Sequence, residues 1–475
     1  MRLPEDHSRS ELSAGALAEL RRTMARLLSS ARARWSPEDL CLYSFDGTRL
    51  SVLPDVVAQP LSTAEVAEVL RYANDNRVPV CPRGAASGLT GGAVPVQGGI
   101  LLDLSLMNRI LEINEADQYA VAQPGVLVAE LQRAVEARGL FYPPDPASSM
   151  MSTLGGNVAE NAGGLRALKY GVTRDYVLEL EAVLASGEVL RFGRRTVKTV
   201  TGYDVVRLLV GSEGTLAVVT EITVKLIAAP EAAATALAAF RSCAQALAGA
   251  AALVRKRVLP RACEFIDARS IEITRRNAQV DLPAQTAGVL LVETDGPAVT
   301  ASADLERAVQ ILRNEGAFEI VVAKEAADRE KLWDFRRAVS PALQSSCAHR
   351  VNEDICVPRS RLVEMLAAIE AVAARYGVDV ANFGHAGDGN IHVNLLPKDE
   401  RELDAACRAA GDICREAVRL GGTLSGEHGI GLTKRDFLPY EISTGALALM
   451  RRLKSLFDPN GILNPGKIFP PEGPP

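Results

Sequence analysis

The chain has 475 residues, 48% of them hydrophobic, which is about three times a ~150-residue domain and enough apolar mass for more than one core. Its 53 Lys+Arg against 58 Asp+Glu leave a formal charge of −5, and neither sign dominates a long block, which argues against nucleic acid as a partner. The eight cysteines show no C-x-x-C spacing, so the common iron–sulfur and zinc-ribbon patterns are excluded, and reduced, mostly buried thiols in a cytoplasmic setting are expected.

In chain order, the segment up to Trp35 mixes arginines with Glu5, Asp6, Glu11 and Glu19 and has no apolar signal core. A structural helix fits it better than a targeting peptide. From Leu50 to about Leu226, short Val/Ile/Leu runs alternate with amphipathic stretches and glycine turns. A Ser62/Thr63 cap opens a helix over 63–76, strands are expected over 78–81 and 100–104, and a helix over 126–138. Residues 178–184 and 189–192 read as a hairpin around Ser186-Gly187, and 217–220 as a strand.

Pro230 marks a boundary. Beyond it the pattern predicts a helix over 232–251, strands over 289–294, 319–323 and 379–384, and helices over 301–315 and 361–376. Helices laid over one antiparallel sheet fit that order. The alanine-rich stretch 232–254 is broken by Arg241 and is too weakly apolar for the ~20 residues of a membrane span. A final helix over 444–457 leads into turns that return to the first domain. The expected class is α+β. The segments are 1–49, a helical N-terminal piece; 50–229, a first domain; 230–457, a second domain; and 458–475, a return to the first.

Three glycine-rich stretches lie in the first domain. Pro82-Arg83-Gly84-Ala85-Ala86-Ser87-Gly88-Leu89-Thr90-Gly91-Gly92 follows a strand and can turn successive N–H groups toward a phosphate. It is neither a Walker A loop nor a G-x-G-x-x-G opening a helix, which disfavours ATP and NAD. The second is Ser152-Thr153-Leu154-Gly155-Gly156-Asn157, running to Asn161-Ala162-Gly163-Gly164 and preceded by Pro143-Pro144-Asp145-Pro146. Thr201-Gly202-Tyr203-Asp204 and Gly211-Ser212-Glu213-Gly214-Thr215-Leu216 supply more close-approach backbone. Two small-residue loops could cradle a pyrophosphate from both sides.

The second domain carries Asn382-Phe383-Gly384-His385-Ala386-Gly387-Asp388-Gly389-Asn390-Ile391-His392. Asp388-Gly389 is a two-residue hairpin signal, which sets His385 opposite His392 with Cβ atoms ~5 Å apart, within reach of one metal. Ser425-Gly426-Glu427-His428-Gly429 adds a carboxylate and a third imidazole. His385, His392 and Glu427 make a suitable ligand set for a divalent ion, with zinc expected, and leave a position open for a substrate oxygen. A cation beside His428 keeps that imidazole neutral and able to accept a proton.

Taken together, P-R-G-x-x-S-G-L-T-G-G, P-P-D-P, S-T-L-G-G-N-x-A-E-N-A-G-G, Tyr170-Gly171, G-S-E-G-T-L-A-V-V-T and Asn464-Pro465-Gly466-Lys467 resemble the FAD-dependent oxidoreductases of the vanillyl-alcohol oxidase type. Among them the chain is most similar to the glycolate oxidase flavin subunit and D-lactate dehydrogenase group, with D-2-hydroxyglutarate dehydrogenase close by. The resemblance covers nearly everything after about residue 36. It implies a bipartite FAD-binding domain, a cap domain with an antiparallel sheet over the isoalloxazine, and FAD pyrophosphate on the Arg83–Gly92 loop. It also implies a metal on His385, His392 and Glu427, His428 as catalytic base, and Arg336 on the substrate carboxylate, with Arg337 as the alternative. Some relatives attach FAD through a histidine; none lies between His7 and His349 here, so non-covalent FAD is expected. Hydroxyglutarate-type relatives place a lysine where this chain has Asn352. That departure weakens the dicarboxylate reading, and His349 and Arg350 remain to compensate.

The expected activity is FAD-dependent oxidation of a small D-2-hydroxy acid, D-lactate or glycolate, to the 2-oxo acid. Electrons would leave to an external acceptor: a quinone, a cytochrome, an electron-transferring flavoprotein or partner subunits. D-2-hydroxyglutarate oxidation and a non-catalytic flavin subunit are the alternatives, and a zinc hydrolase would leave the glycine loops unexplained. No transmembrane segment is expected, and attachment to a membrane would run through the acceptor.

Overall fold

The computed structural model describes residues 12–48, 50–276 and 282–471; the acidic residues Glu5, Asp6 and Glu11 of the N-terminal segment lie outside the described residues. The chain divides into two compact units, and neither is a continuous stretch. One takes the described residues up to Ala162, then Val172–Ala229 and the described residues from Glu427 on; the other takes Gly163–Gly171 and the described residues of Pro230–Gly426. Helix Thr444–Phe457, assigned above to the second domain, therefore falls in the first unit, and Gly163–Gly171, assigned to the first domain, falls in the second.

The first unit holds a four-stranded and a five-stranded sheet. In the smaller one, Ile100–Asp103 runs parallel to Val56–Ala58 and Val80–Arg83. Helix Thr63–Asn76, capped by Ser62 on the Glu65 amide, packs its Val66, Val69, Leu70 and Ala73 side into this core. The five-stranded sheet is antiparallel and contains the hairpin Val177–Val183 and Val189–Gly193. Gly187, at φ +80°, supplies the left-handed turn residue. The chain end joins this unit, as Leu463 bridges Val80 and Asn464 N donates to Val80 O at 2.7 Å.

The second unit is built on one seven-stranded antiparallel sheet. Helix Ala326–Ser346 lays Leu332, Trp333, Phe335, Val339 and Leu343 on it. The expected helix over 232–251 is instead a strand, Ala232–Phe240, followed by a helix, Cys243–Arg255. Alanine runs carry no periodicity to separate the two. The break is made by Ser242, whose side chain accepts from the Gln245 amide as an N-cap, and the strand is secured by pairing on both edges with Gly288–Gly296 and Glu319–Val322. Cys407 is exposed and Cys414 buried, both on helix Glu400–Arg419, and Cys41 is also exposed. Among the described residues no helix is long and apolar enough to cross a membrane.

Candidate active site

In the first unit the two glycine clusters meet. A Cβ on Gly84 would lie 2.2 Å from Thr153 Oγ1, so only glycine lets the loop after strand Val80–Arg83 approach the start of helix Leu154–Glu160. Thr153 caps that helix by accepting from Gly156 N, and Asn161 closes it in the left-handed region at φ 54°. Gly155 packs on Pro124, Gly91 on Leu432 and Gly214 on Pro82. Gly88 O accepts from Gly47 N, Pro144 O from Gln132 Nε2 and Asn161 Oδ1 from Arg174 N. Leu89 is partly exposed, as are Ser87 and Asp145. Arg83 spends its guanidinium on the carbonyls of Phe45 (2.7 Å) and Tyr43, which makes it a brace for the loop. Asn464 Nδ2 donates to Gly92 O and Glu213 O, tying the chain end to the same loop.

Ser152 Oγ and Asn157 Nδ2 are buried in this wall with no hydrogen-bond partner. Buried polar atoms of that kind need a ligand's acceptors and donors, so the residues present fit the phosphate and ribose groups of a dinucleotide such as FAD. Four residues expected on the cofactor, Gly163, Gly164, Tyr170 and Gly171, belong to the other unit, where the Tyr170 hydroxyl donates to Asp295 Oδ2 at 2.7 Å.

In the second unit strand Val380–His385 turns into Asn390–Leu395 through four residues rather than two. His392 therefore faces Phe383, and His385 faces Glu264 of strand Ala262–Asp267, which corrects the expected direct His385–His392 pairing. Gly389 N returns to His385 O, and this wider turn wins over the Asp-Gly signal. The imidazoles still converge diagonally, with Nε2 atoms 3.4 Å apart. Two ring nitrogens at that spacing could both reach one divalent ion.

A carboxylate stands behind each ring. Glu264 Oε1 lies 2.7 Å from His385 Nδ1 and Asp354 Oδ1 lies 3.4 Å from His392 Nδ1. Such partners fix ring orientation and raise ligand basicity, so the pair fits a divalent metal. Arg336, buried on helix Ala326–Ser346, donates Nε and Nη2 to Glu264 Oε2 at 2.8 and 2.7 Å and covers the Phe383 ring. Burial pushes the Glu264 carboxyl up, but His385 and Arg336 outweigh it and hold it below the usual carboxylate range.

The chain passes between units at Gly426–Glu427. On one side Gly426 N and the Ser425 hydroxyl donate to Asp354. On the other, Glu427 and His428 open a loop whose His428 carbonyl accepts from Thr90 Oγ1 at 3.1 Å. Glu213 fixes the same loop, each carboxylate oxygen accepting one amide, Ile430 N and Gly431 N, at 2.8 Å.

Three carboxylates were not singled out from sequence. Glu264 sits in a plain strand with no motif around it. Asp354 lies in Asn352-Glu353-Asp354, and only its pairing with His392 in the ladder shows its place. Glu160 lies inside the quoted A-E-N-A-G-G motif; a Cβ on Gly92 would come within 3.0 Å of its Oε1. Burial first, then the Glu213 and Asp46 charges, push its carboxyl well above the usual range.

Comparison with known proteins identifies the family. Residues 54–193 match the family described as "FAD binding domain", and residues 229–468 match "FAD linked oxidases, C-terminal domain". The chain is 41% identical to glycolate oxidase subunit GlcD of Bacillus subtilis (strain 168), covering 90% of this chain and 92% of that protein. It is 36% identical to D-lactate dehydrogenase of Anaerostipes hadrus, over 87% and 89% of the two chains. In fold it resembles p-cresol methylhydroxylase with substrate bound, at a TM-score of 0.82 and 17% identity over 97% of this chain and 98% of that one. With both halves matched in order and such identity over nearly the whole length, the chain belongs to the FAD-linked oxidase family.

Proposed function

We propose that the chain is an FAD-dependent dehydrogenase that oxidises a D-2-hydroxy acid to the 2-oxo acid and passes electrons to an external acceptor. The observation that carries this reading is the convergent His385–His392 pair, each ring backed by a buried carboxylate, in a chain of the FAD-linked oxidase family. Bound FAD supplies the two-electron acceptor for the α-hydrogen. The Gly84–Gly92 and Ser152–Asn161 loops hold it, without a histidyl link, because residues 54–193 contain no histidine.

His385, His392 and Glu427 are the residues that would hold a divalent ion, zinc by donor type, which would polarise the substrate hydroxyl. His428 takes the hydroxyl proton. Arg336 orients the carboxylate through the part of its guanidinium that Glu264 leaves over. D-lactate and glycolate are the first candidates, as their single carboxylate and hydroxyl are both served by this set. The half-buried cation Arg350 beside Asn352 favours a second reading, D-2-hydroxyglutarate. The acceptor is a quinone, a cytochrome, an electron-transferring flavoprotein or partner subunits, and the free thiols support a cytoplasmic setting.

A dye-reduction screen over D- and L-lactate, glycolate and D-2-hydroxyglutarate tests the proposal. Rapid bleaching of the flavin by at least one D- or achiral 2-hydroxy acid is expected. A yellow protein reduced by none of them would end the reading.

A further inference from the structure

Two residues of helix Ala326–Ser346, one turn apart, are tied to carboxylates on the sheet that it covers. Arg336 holds Glu264, and Trp333 donates its indole Nε1 to Glu293 Oε2 at 2.8 Å. The ladder sets Glu264 opposite Leu291 and Ala262 opposite Glu293, so Glu264, Glu293 and Asp295 share one face of the sheet. His385, opposite Glu264, lies on that face too. All three carboxylates are buried.

Glu293 is held in its turn. Its Oε1 accepts from Arg261 Nε at 2.6 Å, and its Oε2 accepts from Thr235 Oγ1 at 2.5 Å as well as from the indole. Arg261 extends Nη1 to Asp295 Oδ2 at 3.5 Å, while Asp295 receives Lys169 Nζ on Oδ1 at 2.5 Å and the Tyr170 hydroxyl on Oδ2 at 2.7 Å. Glu293 and Asp295 against Arg261 and Lys169 make a neutral chain, with every carboxylate oxygen paired. It begins on the Gly163–Gly171 segment and ends at the helix that carries Arg336.

Buried ion pairs add little net stability once desolvation is counted, and fixing register is their best-attested use. This helix needs such a device. Leu332, Phe335, Val339 and Leu343 pack it on the sheet, but apolar packing is non-directional, and a single polar tie at Arg336 leaves the helix free to pivot about that pair. The indole tie, made three residues earlier to a different strand, removes the pivot. We propose that Lys169, Tyr170, Asp295, Arg261 and Glu293 form a positioning network that acts through Trp333 to set the orientation in which Arg336 meets the substrate carboxylate. The inference rests on the 2-hydroxy acid reading above and gives Tyr170 a task at the substrate side of the chemistry.

The test uses FAD-loaded protein and reads the network at both ends. Trp333→Phe keeps a ring but loses the N–H, so KM for D-lactate should rise about tenfold with kcat nearly unchanged, while FAD and metal contents stay those of wild type. Lys169→Met, two ion pairs away, should raise KM about threefold, and Lys169→Arg should restore it. Oxalate, which has no α-hydrogen to give, should perturb the flavin spectrum with affinities that fall in step with KM. The chain has two tryptophans, so Trp35→Phe leaves Trp333 as the fluorescent reporter, and its emission maximum should move when Lys169→Met is added. A purely structural role would lower the melting temperature and leave KM and oxalate affinity unchanged, which would overturn the proposal. So would a Trp333 emission indifferent to Lys169. If no 2-hydroxy acid reduces the flavin, the functional reading fails by itself, and the Trp333 emission still decides whether the network reaches the helix.

Discussion

Glu213 sits in the left-handed region at φ 52° and gives both carboxylate oxygens to the amides that follow His428 by two and three residues. Its role is to position that loop. Glu213→Ala removes two buried charge-assisted bonds, worth about 1.5–3 kcal/mol each. Stopped-flow flavin reduction should show kcat falling at least about tenfold, more than any change in KM, with partial recovery in Glu213→Gln. His392→Ala should lose bound metal and turnover but keep FAD, because the glycine loops proposed to hold the cofactor lie elsewhere in the chain; metal analysis and the flavin spectrum check both halves. Glu160 gives the pH dependence. Its folded pKa is raised by burial and by the Glu213 and Asp46 charges, above the ~4.3 of an unfolded glutamate. The stability it contributes is complete below that unfolded value and is lost as pH rises through the raised one. Glu160→Gln should exceed wild type in melting temperature by a margin that grows from pH 5 to pH 8.

At the scale of elements, the turn between the two histidine strands depends on Gly389. Its φ is +94°, and a Cβ there would lie 2.0 Å from Val357 O. Gly389→Ala should cost about 1–3 kcal/mol in strain and weaken metal retention, measurable by thermal denaturation and chelator competition. The same hairpin shows what sequence conveys and what it does not. That two strands and a turn bring His385 near His392 was readable from alternation and glycine. The four-residue turn was not, because hydrogen bonds back to His385 O set it. Helix Thr63–Asn76 was legible to the residue, since its cap and its apolar stripe are both local. Strand Ala232–Phe240 was not, as alanine fits helix and sheet alike and only the paired edges choose. The carboxylates behind the imidazoles were hidden for the same reason, Glu264 lying 121 residues from the His385 it holds.

At the scale of the molecule, the last described residues close the first unit. Asp458 accepts from Ile462 N and Leu463 N and pairs with Lys454, itself bound to Thr215 O and Leu463 O. Asp458→Ala leaves a mostly buried ammonium without its counter-ion, a loss of about 3–5 kcal/mol, and FAD should be released at a lower temperature than in wild type. Asn464 meets Gly92 across 372 residues. On a ribosome that interval is the time needed to add 372 residues. Until then strand Val80–Arg83 waits at the open edge of its sheet, the kind of edge that invites wrong partners. Residues 230–426, by contrast, can pair their seven strands as soon as they emerge. Vectorial synthesis thus finishes the inserted unit before its host, and the glycine loop ending at Gly92 acquires its brace from Asn464 only after that unit has been made.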